Sequence, residues 1–129
     1  MRASLTIPAT LDALAQITPF IEKMTPSASD RLRTQLVLAV HELCVNIVQH
    51  AYNGTEGMIE LTAECDDRNL QLFTYDSGPF AYQQTEVIAP DPLDLPESGW
   101  GLVILERVMD EVHYERLESI NQWHLVKLW

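Results

Sequence analysis

Apolar residues along this chain switch between helical spacing and strict alternation, and each switch marks an element. Leu5-Thr6-Ile7 predicts a short strand closed by Pro8. Thr10 caps a helix from about Leu11, with Leu14, Ile17, Phe20 and Ile21 on one face. Pro19 lies inside that pattern and kinks or breaks the helix. After a loop at 25–29, Ser29 or Asp30 caps a longer helix running to about Tyr52. Leu32, Leu36, Ala39, Val40, Leu43 and Ile47 form its buried face, and Asn53-Gly54 ends it in a left-handed turn.

Met58 to Cys65 then alternates as a strand, turns at 66–69 and returns over 70–75. The pattern fails from Phe80 to Ser98, where Pro90, Pro92 and Pro96 stand among Asp91, Asp94 and Glu97. A stretch of that length inside a compact domain reads as a functional loop or as disorder. A short helix over 102–109 follows. Strands at 112–117 and 122–129 close the chain as a hairpin around 118–121. The order predicts an α+β fold, a two-layer sandwich with helices on one face of a mixed, mostly antiparallel sheet. The 129 residues suffice for one domain, 1–129, and are too few for two ordinary ones.

Charge and cysteine content narrow the function classes. A net charge of −11 repels a nucleic-acid backbone and argues against DNA or RNA as a partner. No apolar run approaches the roughly 18 to 20 residues of a membrane span, and the N-terminus lacks a signal-peptide core. The expectation is a cytoplasmic protein without a membrane partner. Cys44 and Cys65 fit two buried, reduced thiols, and no CxxC or Cys/His cluster suggests a metal site.

Three short motifs carry candidate chemistry. Glu42, Asn46 and His50 recur every four residues and share a stripe roughly opposite the helix's buried face. Read singly, each is an ordinary exposed helix residue. Asp76-Ser77-Gly78-Pro79 follows a strand and puts a carboxylate at a sheet edge, where it can accept from an exocyclic amine. Alone it is a common turn. Gly99-Trp100-Gly101-Leu102 opens a helix whose first N–H groups can face phosphates, or it is a plain loop-to-helix junction.

Taken together, the motifs resemble those of the GHKL ATPase superfamily, and within it the small anti-sigma-factor serine/threonine kinases of bacteria. Glu42-x-x-x-Asn46-x-x-x-His50-Ala51-Tyr52 is similar to that family's N-box. Asp76-Ser77-Gly78-Pro79 is similar to its first glycine box, and Gly99-Trp100-Gly101-Leu102 to its second. The likeness runs over about 5–128. It implies the Bergerat fold, with ATP and Mg²⁺ as cofactors. It implies that Asn46 ligates Mg²⁺, Asp76 binds the adenine amino group and Gly78 lets the chain pass close to the base. Gly99, Gly101 and Leu102 belong to the phosphate-side box, the glycines hinging a lid at about 80–98. Glu42 is implied as general base, and His50 and Tyr52 as holding helix and lid.

The implied partners are an anti-sigma-factor antagonist, phosphorylated on Ser or Thr, and a sigma factor. A homodimer is implied too, through the first helix or the C-terminal strand ending in Leu128-Trp129. The chain departs from the family pattern in charge: there is no Lys or Arg from Asn69 to Glu106, and residue 97 is Glu. Phosphoryl transfer relies on cations around the migrating group. Arg31, Arg33 or Arg107 can supply one from elsewhere. A partner can also supply it, and Mg²⁺ with backbone amides can suffice for binding. The alternative reading is a catalytically weak or inactive nucleotide-binding module that acts by sequestration. A histidine-kinase catalytic half fits poorly, since His41 and His50 lie within the nucleotide helix itself.

Overall fold

The structure is a computed structural model that describes residues 1–82 and 100–129. Strand β1, Arg2–Pro8, leads into a 3₁₀ turn at Asp12–Gln16 and helix α1, Ile17–Met24. Helix α2, Asp30–Asn46, continues as a π-helical turn, Ile47–Tyr52. Strands β2, Met58–Cys65, and β3, Asn69–Asp76, follow. Beyond the undescribed residues come α3, Trp100–Val108, β4, Glu111–Leu117, and β5, Ile120–Leu128.

The five strands form one sheet in the order β1-β2-β3-β5-β4, and every pairing among them is antiparallel. Alternation decides which side is covered. Ile59, Leu61 and Ala63 of β2, Leu70 and Leu72 of β3, and Trp123 and Leu125 of β5 are buried in one core. That core also takes Ile17 and Ile21 from α1, Leu36, Val40 and Leu43 from α2, and Leu105 from α3. The alternate strand residues face outward, where the Phe73 and His124 rings stack at 4.3 Å. The expected two-layer α+β sandwich is therefore observed.

Local chemistry accounts for most element ends. Ser29 Oγ accepts from the Leu32 amide at 3.1 Å and starts α2 as its N-cap. Thr10 Oγ1 accepts from the Ala13 amide at 3.3 Å. The break near Pro19 falls earlier than the proline itself. The first turns are 3₁₀, and Pro19 sits in the first turn of α1, where its missing N–H leaves no intrahelical bond unmade. Leu32 is half-buried rather than buried.

Two boundaries differ from the sequence reading, and both shape the site. The long helix does not stay α to Tyr52; its last turn widens to π geometry before Asn53 takes φ 46°. The final hairpin turns on two residues, Glu118 and Ser119, both with positive φ (53° and 67°). Asn121 thereby joins β5 instead of the turn and pairs with Asp76 across the ladder.

Candidate functional site

A cleft of about 440 Å³ opens between the C-terminal part of the long helix and the ends of β3, β4 and β5. Asn46, Ile47, His50 and Ala51 line its helical wall. Asp76, Tyr114, Asn121 and Trp123 line its sheet wall, and Phe80 and Tyr82 its rim.

Asp76 stands at the end of β3, the middle strand, so the expected place at a sheet edge is corrected. The twofold side-chain period puts it on the inward face with Leu72 and Thr74, and it is only 3% exposed. A carboxylate so placed needs hydrogen bonds to stay charged. One oxygen has them: Oδ1 accepts from the Gly78 amide at 3.0 Å and from Asn121 Nδ2 at 2.9 Å. Oδ2 is buried with no partner among the described residues. Burial pushes the Asp76 pKa above its ordinary value, while Asn121, the Gly78 amide and the Arg116 charge pull the other way. The result is an unpartnered acceptor atom on a residue of the cleft wall.

Gly78 is required by a close approach. A Cβ there would lie 2.6 Å from the carbonyl carbon and oxygen of Ala51, well inside contact distance. The glycine lets the chain leaving β3 lie against the π turn, where the Phe80 amide donates to the Ala51 carbonyl at 3.1 Å. Tyr52 completes the junction. It is buried, its hydroxyl donates to the Met58 carbonyl, and it accepts from the Ser77 amide at 3.1 Å. Tyr52 thus ties the end of the long helix to the turn that follows β3.

Asn46 and His50 both reach the cleft although the π turn breaks their four-residue spacing. Glu42 lies one turn before Asn46 on α2, half-exposed and outside the cleft lining. Gly99 lies outside the described residues, as does nearly all of the expected lid. Gly101 falls in the first turn of α3, and Leu102 packs partly buried on the core. Of the candidate cations, Arg33 is engaged: it donates to the carbonyls of Thr25, Pro26 and Ala28 and pairs with Asp30 at 2.9 Å. Cys44 and Cys65 are both free and buried, and burial beside Asp76 pushes the Cys44 thiol up to about 12.

Sequence reasoning missed Asn121, Tyr114, Arg116 and Trp123. A signal for the first was present. Asn121, Trp123 and Leu125 share one face of a strand, so a polar residue stood on an inward position.

An orphaned buried acceptor, aromatic and aliphatic walls and a neutral amide oxygen at Asn46 fit a nucleobase with a magnesium–phosphate tail. One protein oxygen is a usual contribution to Mg²⁺, which keeps waters and substrate phosphates as its other ligands.

Comparison with known proteins agrees with this geometry. Residues 7–127 match the histidine kinase-like ATPase domain family. The serine-protein kinase RsbW of Bacillus mycoides (strain KBAB4) is 32% identical over 91 residues, covering 65% of this chain and 57% of that protein. Its counterpart in Bacillus cereus (strain G9842) is 33% identical with the same coverage. The chain therefore spans a little over half the length of these relatives. A crystal structure of the RsbU and RsbW domains of a Mycobacterium tuberculosis protein superposes with a TM-score of 0.69. That match covers 99% of this chain and 32% of the other at 19% identity, a likeness of fold. The chain belongs to the histidine kinase-like ATPase (GHKL) family, and within that family it is similar to serine-protein kinases named RsbW.

Proposed function

We propose that this chain is an ATP-dependent serine/threonine protein kinase domain of the anti-sigma type. It phosphorylates an anti-sigma-factor antagonist and thereby controls a sigma factor by partner switching. The observation that carries the reading is the buried Asp76 in the wall of the Asn46-lined cleft, with one oxygen bonded and the other without a partner among the described residues.

Each residue then has a task. Asp76 Oδ2 accepts from the adenine amino group, and Ile47 and Trp123 offer apolar contact to the base. Asn46 holds Mg²⁺ through its amide oxygen. The metal neutralises charge on the transferred phosphoryl group when bound. Glu42 takes the proton from the substrate hydroxyl, a role worth about 10² to 10⁴ in rate. Gly101 and Leu102, in the first turn of α3, form the phosphate side of the site. Residues 1–129 form one domain, its protein partners meeting it on the outside.

A second reading draws on charge. Arg33 and Arg116 are both occupied with backbone carbonyls and leave the phosphate side without those cations. In that reading the chain binds nucleotide and acts by sequestration. Calorimetric titration with ATP, with and without Mg²⁺, tests the common core of both. Magnesium-dependent binding that is lost in Asn46→Ala supports a nucleotide site. Phosphate transfer to a purified antagonist then separates kinase from module. Absence of binding at millimolar ATP contradicts both readings.

A further inference from the structure

Asn121 has every hydrogen-bonding direction in use. Its Nδ2 donates to Asp76 Oδ1 at 2.9 Å and to the Phe80 carbonyl at 3.2 Å. Its Oδ1 accepts from Tyr114 Oη at 2.5 Å and from Arg116 Nη1 at 3.0 Å. A guanidinium only donates, so it fixes which end of the amide faces it, and the N–H₂ must face Asp76. At 1% exposure, Asn121 has no water to substitute for a lost partner.

The same side chains hold the segment that leaves β3. Arg116 donates to the Gly78 carbonyl at 3.0 Å and to the Pro79 carbonyl at 3.4 Å. The Tyr82 amide donates to Tyr114 Oη at 2.9 Å. The Tyr82 ring packs on Tyr114 and Trp123, with centroids 5.5 and 5.0 Å away. Two residues of β4 therefore grip the 78–82 backbone with one hand and the amide of Asn121 with the other.

We propose that Tyr114 and Arg116 are positioning residues, which act through Asn121 to set the acceptor geometry of Asp76 and through 78–82 to hold the cleft's rim. Arg116 lies outside the cleft lining, and the role proposed for Tyr114, which does line it, runs through its hydroxyl. The inference rests on the nucleotide reading of the cleft for its purpose, but the coupling itself is a property of the free protein. The titratable and charged groups acting on Asp76 are Cys44 from α2 and Arg116 from β4; His50 from the π turn, Tyr82 from the rim and Tyr114 from β4 line the same cleft. Removing the Arg116 charge leaves Asp76 a poorer anion. Removing the Tyr114 hydroxyl takes one of two donors from Asn121 Oδ1 and also releases the Tyr82 amide.

Two readouts on the same variants test this. The carboxyl ¹³C resonance of Asp76 is titrated in the ligand-free wild type, Arg116→Gln, Arg116→Lys and Tyr114→Phe, and Mg-ATP affinity is measured alongside. Arg116→Gln is expected to raise the Asp76 pKa, and Arg116→Lys to restore it by keeping the charge. Each of Arg116→Gln and Tyr114→Phe is expected to weaken Mg-ATP binding by about 3- to 10-fold, the effect of one net hydrogen bond. An Asp76 resonance and pKa unchanged in folded Arg116→Gln and Tyr114→Phe overturns the coupling. If Asp76 responds as expected while wild type binds no ATP, the coupling stands and the nucleotide reading falls.

Discussion

The two ends of the cleft are built in opposite ways. At the Asp76 end, a carboxylate, an amide, a phenol and a guanidinium from β3, β5 and β4 bond to one another, with only Asp76 Oδ2 among them left buried and unpartnered among the described residues. At the Asn46 end, the candidate groups stand along a single helix, half-exposed and spaced by its turns. A buried network has one workable geometry, since each lost bond leaves an unpaired polar atom. A solvated helical stripe tolerates adjustment. In the proposed function, the first end would read a flat, rigid base, and the second would take phosphates and a hydrated metal.

The largest effect expected from breaking this contrast is at the open end. Glu42→Ala should lower phosphate transfer to an antagonist by about 10² to 10⁴, with ATP affinity nearly unchanged. A single-turnover assay beside a binding titration checks it, and full transfer in the variant would remove Glu42 from the base role.

Next in size is the junction between the ends. Gly78→Ala places a methyl group against the Ala51 backbone, which has no rotamer to yield. A loss of about 1–3 kcal/mol in stability is expected from overpacking, with weaker ATP binding. Denaturant unfolding measures the first and calorimetry the second.

A smaller effect with a definite sign follows from the raised pKa of Asp76. A carboxyl that holds its proton more tightly when folded stabilises the protein less as pH rises. The penalty begins near the ordinary carboxylate range and is complete above the raised value. Asp76→Asn should therefore melt at a higher temperature than wild type at neutral pH. The gain should shrink as pH falls through that window. Thermal melts between pH 4 and 8 decide it, and a variant that is less stable at neutral pH contradicts the account.

The smallest change serves as a control outside the cleft. Ser29→Ala removes the α2 cap and should cost about 1 kcal/mol of stability, leaving ATP affinity alone.

What the sequence made legible follows the same division. The long helix, its Ser29 cap and its left-handed stop at Asn53 are written in local spacing, and so are Glu42, Asn46 and His50. Asp76 was legible because it follows a strand and precedes a glycine turn. Its partners were not. Asn121 looks like a turn residue until the two-residue hairpin at Glu118-Ser119 puts it in β5, which pairs with β3 so that Asn121 lies opposite Asp76. Those two residues take positive φ without being glycine, so nothing local announced so tight a turn. Arg116 is far from the glycine box in sequence and meets it only because β4 flanks β5 at the sheet's edge. The π turn was hidden for a similar reason. The residues of Ile47–Tyr52 read as α-helical, and the widening appears where Gly78 presses against Ala51.

The most direct test of the account is base selectivity read at Asp76. Titration of wild type and Asp76→Asn with Mg-ATP and Mg-GTP, followed by calorimetry, asks whether the open carboxylate oxygen recognises an exocyclic amine. The account predicts that wild type favours ATP by tenfold or more, in the range of one charged hydrogen bond at about 1.5–3 kcal/mol. It predicts that Asp76→Asn, still folded, loses that preference. Equal binding of the two nucleotides by wild type, or an undiminished preference in Asp76→Asn, would contradict it.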